Sequence, residues 1–193
     1  PLTGVRYLLC VGTIEPRKNH TLVLDAFERL SAHHPDLHLI IVGRQGWRID
    51  GVADRLRAHP LLGTRVHWPL AVNDDTLDHL YQGAALTVVP SFTEGFGLPV
   101  IEALRRGSPV VSSSGGALPE AGGDLVDYVA PDDVDGFVAA IERHLDDDAH
   151  HEATRERLAG YRPTTWDDTA AEVARLLIAA GRRSEQPVAV TPS

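Results

Sequence analysis

Residues 85–104 constrain this chain most. Ala85-Leu86-Thr87-Val88-Val89 is a short apolar run with β-branched residues, which predicts a buried parallel strand. Pro90 removes a ladder donor and ends that strand. Gly95 and Gly97 allow a tight turn and a close backbone approach to a ligand. Pro99 suits the first turn of a helix that continues through Val100, Ile101, Glu102, Ala103 and Leu104. Strand, glycine loop and helix N-terminus follow one another directly. Such an N-terminus carries unpaired N–H groups and a partial positive charge, and it attracts phosphate. Glu94 in the loop and Glu102 on the first helical turn bracket it. A carboxylate accepts hydrogen bonds from two neighbouring hydroxyls at once, so this pair suits sugar diols on either side of a phosphate.

The rest of the chain alternates in the same way. Apolar runs at 7–11, 38–42, 65–68, 109–112 and 128–130 read as further strands. Segments 20–32, 49–58, 74–84, 134–145, 150–158 and 166–180 read as helices, with Asp74 or Asp75 as the N-cap of the third. This alternation predicts an α/β, Rossmann-like three-layer sandwich around a mostly parallel sheet. In such folds ligands sit at the carboxyl ends of the strands, where loops 12–19 and 91–98 both fall. The reading takes 1–180 as one domain and 181–193, which has no apolar period, as a disordered tail. The chain contains no methionine, and we expect a fragment of a longer protein.

Charge and composition narrow the partners. A formal net charge of -9 argues against a nucleic-acid backbone. The single cysteine, Cys10, lies inside an apolar run and reads as a buried, inert thiol. No apolar run approaches the roughly 18 residues of a membrane span. The ten histidines show no metal-ligand spacing. His33-His34 and His150-His151 fall on polar helix faces or ends, His20 reads as structural, and Asp146-Asp147-Asp148 reads as a solvated helix end; no metal site is expected.

Arg17 and Lys18 directly follow the first strand. They are either solvated loop charge or a pair of cations on a diphosphate, and the second loop on the same sheet edge favours the diphosphate. Gly43-Arg44-Gln45-Gly46 is either a plain turn or a wall of the same pocket. Ser112-Ser113-Ser114-Gly115-Gly116 reads as a tight turn, with phosphate or sugar contact as the alternative.

Taken together, these residues resemble the donor-binding half of a retaining glycosyltransferase of family 4 (glycosyltransferase group 1), the C-terminal half of a GT-B fold. The resemblance runs from about residue 6 to residue 180. Its most specific piece is Glu94-Gly95-Phe96-Gly97-Leu98-Pro99-Val100-Ile101-Glu102, which is similar to the family's E-x7-E motif. Gly107-Ser108-Pro109-Val110-Val111 and Leu118-Pro119-Glu120 continue in the family's order. Gly12-Thr13-Ile14-Glu15-Pro16-Arg17-Lys18-Asn19 resembles its first phosphate-contact loop, in a form seen among mannosyltransferase-like members.

The resemblance implies roles residue by residue. Arg17, Lys18 and Glu94 form the catalytic set: the two cations bind the departing diphosphate, and Glu94 either orients the donor sugar, which the resemblance favours, or acts as a nucleophile. Gly12, Gly43, Val72, Gly95, Phe96, Gly97, Leu98 and Glu102 form the donor-binding set. The backbone amides of 95–97 lie near sugar and phosphate, Leu98 near the nucleoside, Glu102 on the ribose, and the base against Leu70-Ala71-Val72. The loop Trp68-Pro69-Leu70 departs from the family's usual glycine-containing form.

The implied donor is a nucleotide-diphosphate sugar, GDP- or UDP-linked, with GDP-mannose favoured, and no cofactor is required. The implied partner is a missing N-terminal acceptor-binding domain, so the isolated chain is expected to bind nucleotide without turnover. A cytoplasmic location is implied, and peripheral association of the parent with the inner face of the membrane stays open. The alternatives are a nucleotide-sugar binding module, or a sugar-nucleotide epimerase or hydrolase on the same fold.

Overall fold

The computed structural model describes residues 4–47 and 50–184. The strands are β1 (Arg6–Val11), β2 (Leu37–Val42), β3 (Val66–His67), β4 (Leu86–Val89), β5 (Val110–Ser113) and β6 (Asp127–Val129). The helices are α1 (His20–His33), α2 (Asp50–Arg57), α3 (Asp74–Gly83), α4 (Leu98–Arg105), α5 (Leu118–Gly122), α6 (Val134–Asp146), α7 (Asp148–Ala159) and α8 (Trp166–Ser184). All six strands pair in parallel in the order β3-β2-β1-β4-β5-β6. The chain is therefore an α/β protein with the Rossmann-like strand order.

Strand alternation builds two cores. Leu8 and Cys10 of β1 and Leu37, Leu39 and Ile41 of β2 face α1, α2 and α6. Tyr7 and Leu9 of β1 and Ile40 and Val42 of β2 face the other way, against α3, α4 and α7. Both faces of the sheet are covered, which is why β1 and β2 read as continuous apolar runs and not as alternating ones. In α4, Val100, Ala103 and Leu104 are buried on this second face. Burial of Val100 and Leu104 stabilises the fold by about 1.5–3 kcal/mol each. The Cys10 thiol is buried, and burial pushes its pKa up to about 12.

Three local expectations are corrected. The N-cap of α3 is Asn73, whose side chain accepts from the Thr76 N–H at 2.8 Å; Asp74 and Asp75 fall inside the first turn, where their charge suits the helix dipole. Helix α4 begins at Leu98 behind Gly97, so Glu102 stands on its second turn and not its first. Helix α8 extends through Ser184, past the expected end at 180. Ile49, expected to open the second helix, and residues 185–193 of the expected tail lie outside the described residues.

The chain forms two compact units, divided between Tyr161 and Arg162, where the sequence reading has a single domain to 180. The sheet and helices α1–α7 make up the first. The second contains α8, which opens with a reciprocal cap: Thr165 Oγ1 accepts from the Asp168 N–H at 3.1 Å, and Asp168 Oδ2 accepts from the Thr165 N–H at 2.9 Å. Val173, Leu176, Leu177 and Ile178 of α8 are exposed. Among the described residues, no helix is long and apolar enough to cross a membrane.

Candidate functional site

The strand order turns around between β1 and β4. Their neighbours lie on opposite sides, so the loops that leave their carboxyl ends open a crevice at the switch point. The first loop carries Gly12 to Asn19, and the second carries Pro90 to Gly97. Two links lock them together. Phe92 N donates to Arg17 O at 2.8 Å. Asn19 Nδ2 donates to Pro90 O at 3.2 Å and to Pro131 O at 2.7 Å. Asn19 has φ 53°, a left-handed backbone that Asn adopts more readily than most residues.

At the meeting point the charges converge on Glu94. Arg17 Nη1 donates to Glu94 Oε2 at 2.6 Å, and Lys18 Nζ donates to Glu94 Oε1 at 2.6 Å. Ser91 Oγ donates to the same Oε1 at 2.7 Å. The second arm of the Arg17 fork reaches Glu15 Oε1 at 2.6 Å. The Glu94 side chain is only 8% exposed. Burial alone would raise its pKa, but the hydrogen bonds from Lys18, Ser91 and Arg17 outweigh burial and hold the carboxyl below its ordinary value. The bond to Glu94 holds the Arg17 guanidinium pKa above its own. Burial, helped by the charge of Lys18, pushes the nearby His20 down to about 4 and keeps that ring neutral.

The glycines are placed by space as well as by conformation. A Cβ on Gly43 would meet Gly12 O at 1.9 Å, so the turns after β2 and β1 touch backbone to backbone. Gly97 caps α4 at φ 81°, and a Cβ there would meet Ala121 Cβ at 2.7 Å. Gly95 has open space around it. Phe96 and Leu98 project into solvent at 66% and 56% exposure, beside Phe92 at 50%, and give the crevice an apolar rim.

Segment 43–46 proves to be paired to the first loop: Ile14 N donates to Arg44 O and Gly46 N to Ile14 O, both at 2.8 Å. Segment 112–116 turns against the second loop. Ala117 N donates to Glu94 O at 2.9 Å, and Ser113 Oγ bonds Ser91 O.

Glu102 lies behind this loop on α4. Tyr81 Oη donates to Glu102 Oε2 at 3.0 Å, and the Tyr81 ring is fully buried. Arg106 lies over the Tyr81 ring at 5.2 Å and donates to Glu102 O at 3.0 Å. Val72 belongs to the outer side, where Trp68, Pro69 and Val72 help line an apolar groove of about 540 Å³ beside β3. Trp68 Nε1 donates to Gly43 O at 3.0 Å, which ties the loop after β3 to the glycine turns.

The structure thus brings Arg17, Lys18 and Glu94 into direct contact. Gly12 and Gly43 form the adjoining turns, Gly95 to Leu98 the rim, and Glu102 the helix behind it. Sequence reasoning gave no role to the side chains of Asn19, Ser91 and Tyr81. Asn19 could have been found, since an Asn between a charged loop and a helix start favours a left-handed residue. Ser91 and Tyr81 carry no local signal.

The comparisons with known proteins agree with this architecture. Residues 2–161 match the family described as Glycosyl transferases group 1. The O-antigen chain mannosyltransferase B of Escherichia coli is 39% identical over 167 residues, covering 84% of this chain and 43% of that protein. A glycogen synthase of Mycobacterium tuberculosis is 37% identical over 193 residues, covering 97% of this chain and 46% of that protein. In structure, an alpha,alpha-trehalose 6-phosphate synthase from Burkholderia multivorans superposes with a TM-score of 0.72 at 19% identity, over 98% of this chain and 46% of that one, which speaks to the fold alone. This chain spans less than half the length of each of these proteins. The sheet order, the crevice at its switch point and the match over residues 2–161 place the chain in the Glycosyl transferases group 1 family.

Proposed function

We propose that this chain is the donor-binding half of a retaining hexosyltransferase that uses a nucleotide-diphosphate sugar. One observation carries the reading: Arg17 and Lys18, from the loop after β1, meet Glu94, from the loop after β4, at the switch point of the sheet. Two cations and one carboxylate in a partly buried crevice suit a substrate that is anionic at one end and rich in hydroxyls at the other.

As the bond from the anomeric carbon to the diphosphate breaks, negative charge grows on the leaving phosphate oxygens. Arg17 and Lys18, drawn from Glu94 to the diphosphate, stabilise that charge. Glu94 accepts hydrogen bonds from the sugar hydroxyls and sits near the positive charge that develops on the sugar ring. The acceptor hydroxyl forms the new bond on the face the diphosphate leaves, and its proton passes to the departing phosphate oxygen. Glu102, held by Tyr81, accepts from the ribose hydroxyls. Gly12, Gly43 and the amides of Gly95, Phe96 and Gly97 border the phosphates, while Leu98 and Val72 flank the nucleoside.

Group 1 glycosyltransferases use nucleotide-sugar donors. Mannose from GDP-mannose is our preferred donor, supported by the form of residues 15–19 and by the mannosyltransferase relative. The glycogen synthase relative supports glucose instead. We assign acceptor binding to a separate domain of a longer parent, so the chain alone binds nucleotide without turnover.

Calorimetric titration with GDP, UDP, ADP and their sugar conjugates, first without metal and then with magnesium, tests this reading. Metal-independent binding of one nucleotide, weakened about tenfold or more in Lys18→Ala and in Glu102→Ala, is the expected result. If the folded chain binds none of them and the full-length parent binds none either, the reading fails.

A further inference from the structure

Asp127, His144 and His150 come together at the end of the sheet opposite the Arg17–Glu94 crevice. Asp127 is the first residue of β6, which runs parallel to β5, so it lies at the amino-terminal edge. His144 stands in the last turn of α6 and His150 in the first turn of α7. Only Asp147 separates these helices. Its side chain accepts from the His150 N–H at 2.9 Å, which fixes the corner. Asp127 Oδ2 lies 2.9 Å from His144 Nε2 and 3.6 Å from His150 Nε2. All three atoms lie within 4.8 Å of one another. The two imidazole rings are 4.5 Å apart and tilted by 52°, so they converge on the carboxylate without stacking.

We propose that Asp127 Oδ2, His144 Nε2 and His150 Nε2 form a binding site for one divalent transition-metal ion, zinc before the others. Two imidazoles and a carboxylate are a borderline donor set that suits zinc and its neighbours and does not suit calcium or magnesium, which require more oxygen ligands. Metal–ligand bonds of about 2.0–2.1 Å in a tetrahedron put the ligand atoms roughly 3.3 Å apart. The two separations from Asp127 Oδ2, 2.9 and 3.6 Å, bracket that value.

Burial supports a ligand. The His144 side chain is 2% exposed, and His150 Nε2 is a buried nitrogen with no hydrogen-bond partner. Read as a plain His144–Asp127 hydrogen bond, the cluster leaves that nitrogen unsatisfied, and a buried unsatisfied group calls for an ion or water. A cavity of about 30 Å³, lined by these three residues with Thr154 and Arg157 among others, adjoins them. That is room for a single water as fourth ligand and not for a substrate, so the ion is a staple between β6 and the α6–α7 corner.

One contact opposes the ion. Arg143 Nη2 lies 3.1 Å from the same Asp127 Oδ2. Its side chain is 51% exposed, so it can swing into solvent at the loss of a surface ion pair. The sequence reading expects no metal-ligand pattern among the histidines; the spacing of His144 and His150 becomes one only when the helix corner and β6 are brought together.

The test uses the whole chain, freed of metal with a chelator, and zinc or cobalt(II) alone as the probe. One equivalent of zinc should bind and raise the melting temperature, and cobalt(II) should give the intense visible bands of a tetrahedral site. His150→Ala, at a partly exposed position, and Asp127→Asn should each weaken binding by about tenfold or more. His38→Ala is the control, because the His38 and His67 rings stack at 5.5 Å elsewhere on the sheet. No saturable binding by the folded chain, or absence of a tetrahedral cobalt spectrum, overturns the proposal. So does binding that survives His150→Ala or is lost in His38→Ala.

Discussion

Arg17 and Glu94 are 77 residues apart in the chain, yet Nη1 and Oε2 lie 2.6 Å apart. With Lys18 on the other carboxylate oxygen, both cations are neutralised by a side chain of the same crevice. On the proposed reading, an incoming diphosphate competes with Glu94 for its cations. Glu94→Gln should separate the two ends of the donor: affinity for the bare nucleoside diphosphate holds or rises several-fold, while the preference for the sugar conjugate is lost. Unfolding free energy should fall by about 1–3 kcal/mol, since Lys18 keeps a neutral partner in a half-closed site. Calorimetry with nucleotide and nucleotide sugar, beside urea unfolding, reads both.

Tyr81→Phe removes the one side-chain hydroxyl bonded to Glu102 in the described structure. The loss to stability should be about 0.5–1.5 kcal/mol. Nucleotide affinity should drop several-fold, because Glu102 then has more orientations to give up on binding. A matched titration with the corresponding 2′-deoxynucleotide should show a smaller drop.

Gly97→Ala and Gly95→Ala should behave differently despite lying two residues apart. Gly97 is left-handed and crowded by Ala121, so alanine should cost about 1–3 kcal/mol of stability. Gly95 has open space, so its alanine variant should melt as the parent does and lose nucleotide-sugar affinity. Melting curves with and without ligand distinguish them.

Asn19→Gly keeps the left-handed backbone but loses the bonds to Pro90 O and Pro131 O. It should cost about 1–2 kcal/mol. Asn19→Ala should cost roughly 1 kcal/mol more, from the strain of φ 53°. Denaturant unfolding of the pair separates the two contributions.

His20 gives a pH dependence with a definite sign. Its folded pKa, about 4, lies below the ordinary value of 6.5, so the folded state favours the neutral ring. That stability is present above pH 6.5 and is lost as pH falls from 6.5 towards 4, amounting to about 3 kcal/mol. Glu94, also depressed, adds a loss only below the ordinary carboxylate range. In His20→Leu the fall in unfolding free energy between pH 6.5 and 4.5 should shrink by one proton's contribution.

The sequence made the crevice legible because its chemistry is local. Arg17 and Lys18 follow one apolar run, Glu94 and its glycines follow another, and strand ends are where such folds bind. The apolar runs of β1, β2 and β4 were readable because strands covered on both faces need no polar alternation. The contacts that organise the crevice were less visible. Ser91 and Tyr81 act through neighbours supplied by the fold, and the shift of Glu102 to the second turn depends on Gly97 taking the cap. Asn73 in place of Asp74 is a choice among adjacent good caps that only the hydrogen bond decides. The Asp127–His144–His150 group joins residues from one strand and two helices, with no spacing that marks it in advance.

The central position of β1 also governs how the chain can be made. Leu8 pairs with Leu39 on one side and with Leu86 on the other. A ribosome that adds about 5–20 residues per second completes β1 roughly 4–16 s before β4 exists to cover its second edge. Once β2 is complete, β1 and β2 can pair and bury one face under α1, while the edge bound for β4 stays open to other chains. The crevice has no second wall until β4 arrives, so competence to bind nucleotide should emerge late in synthesis and all at once.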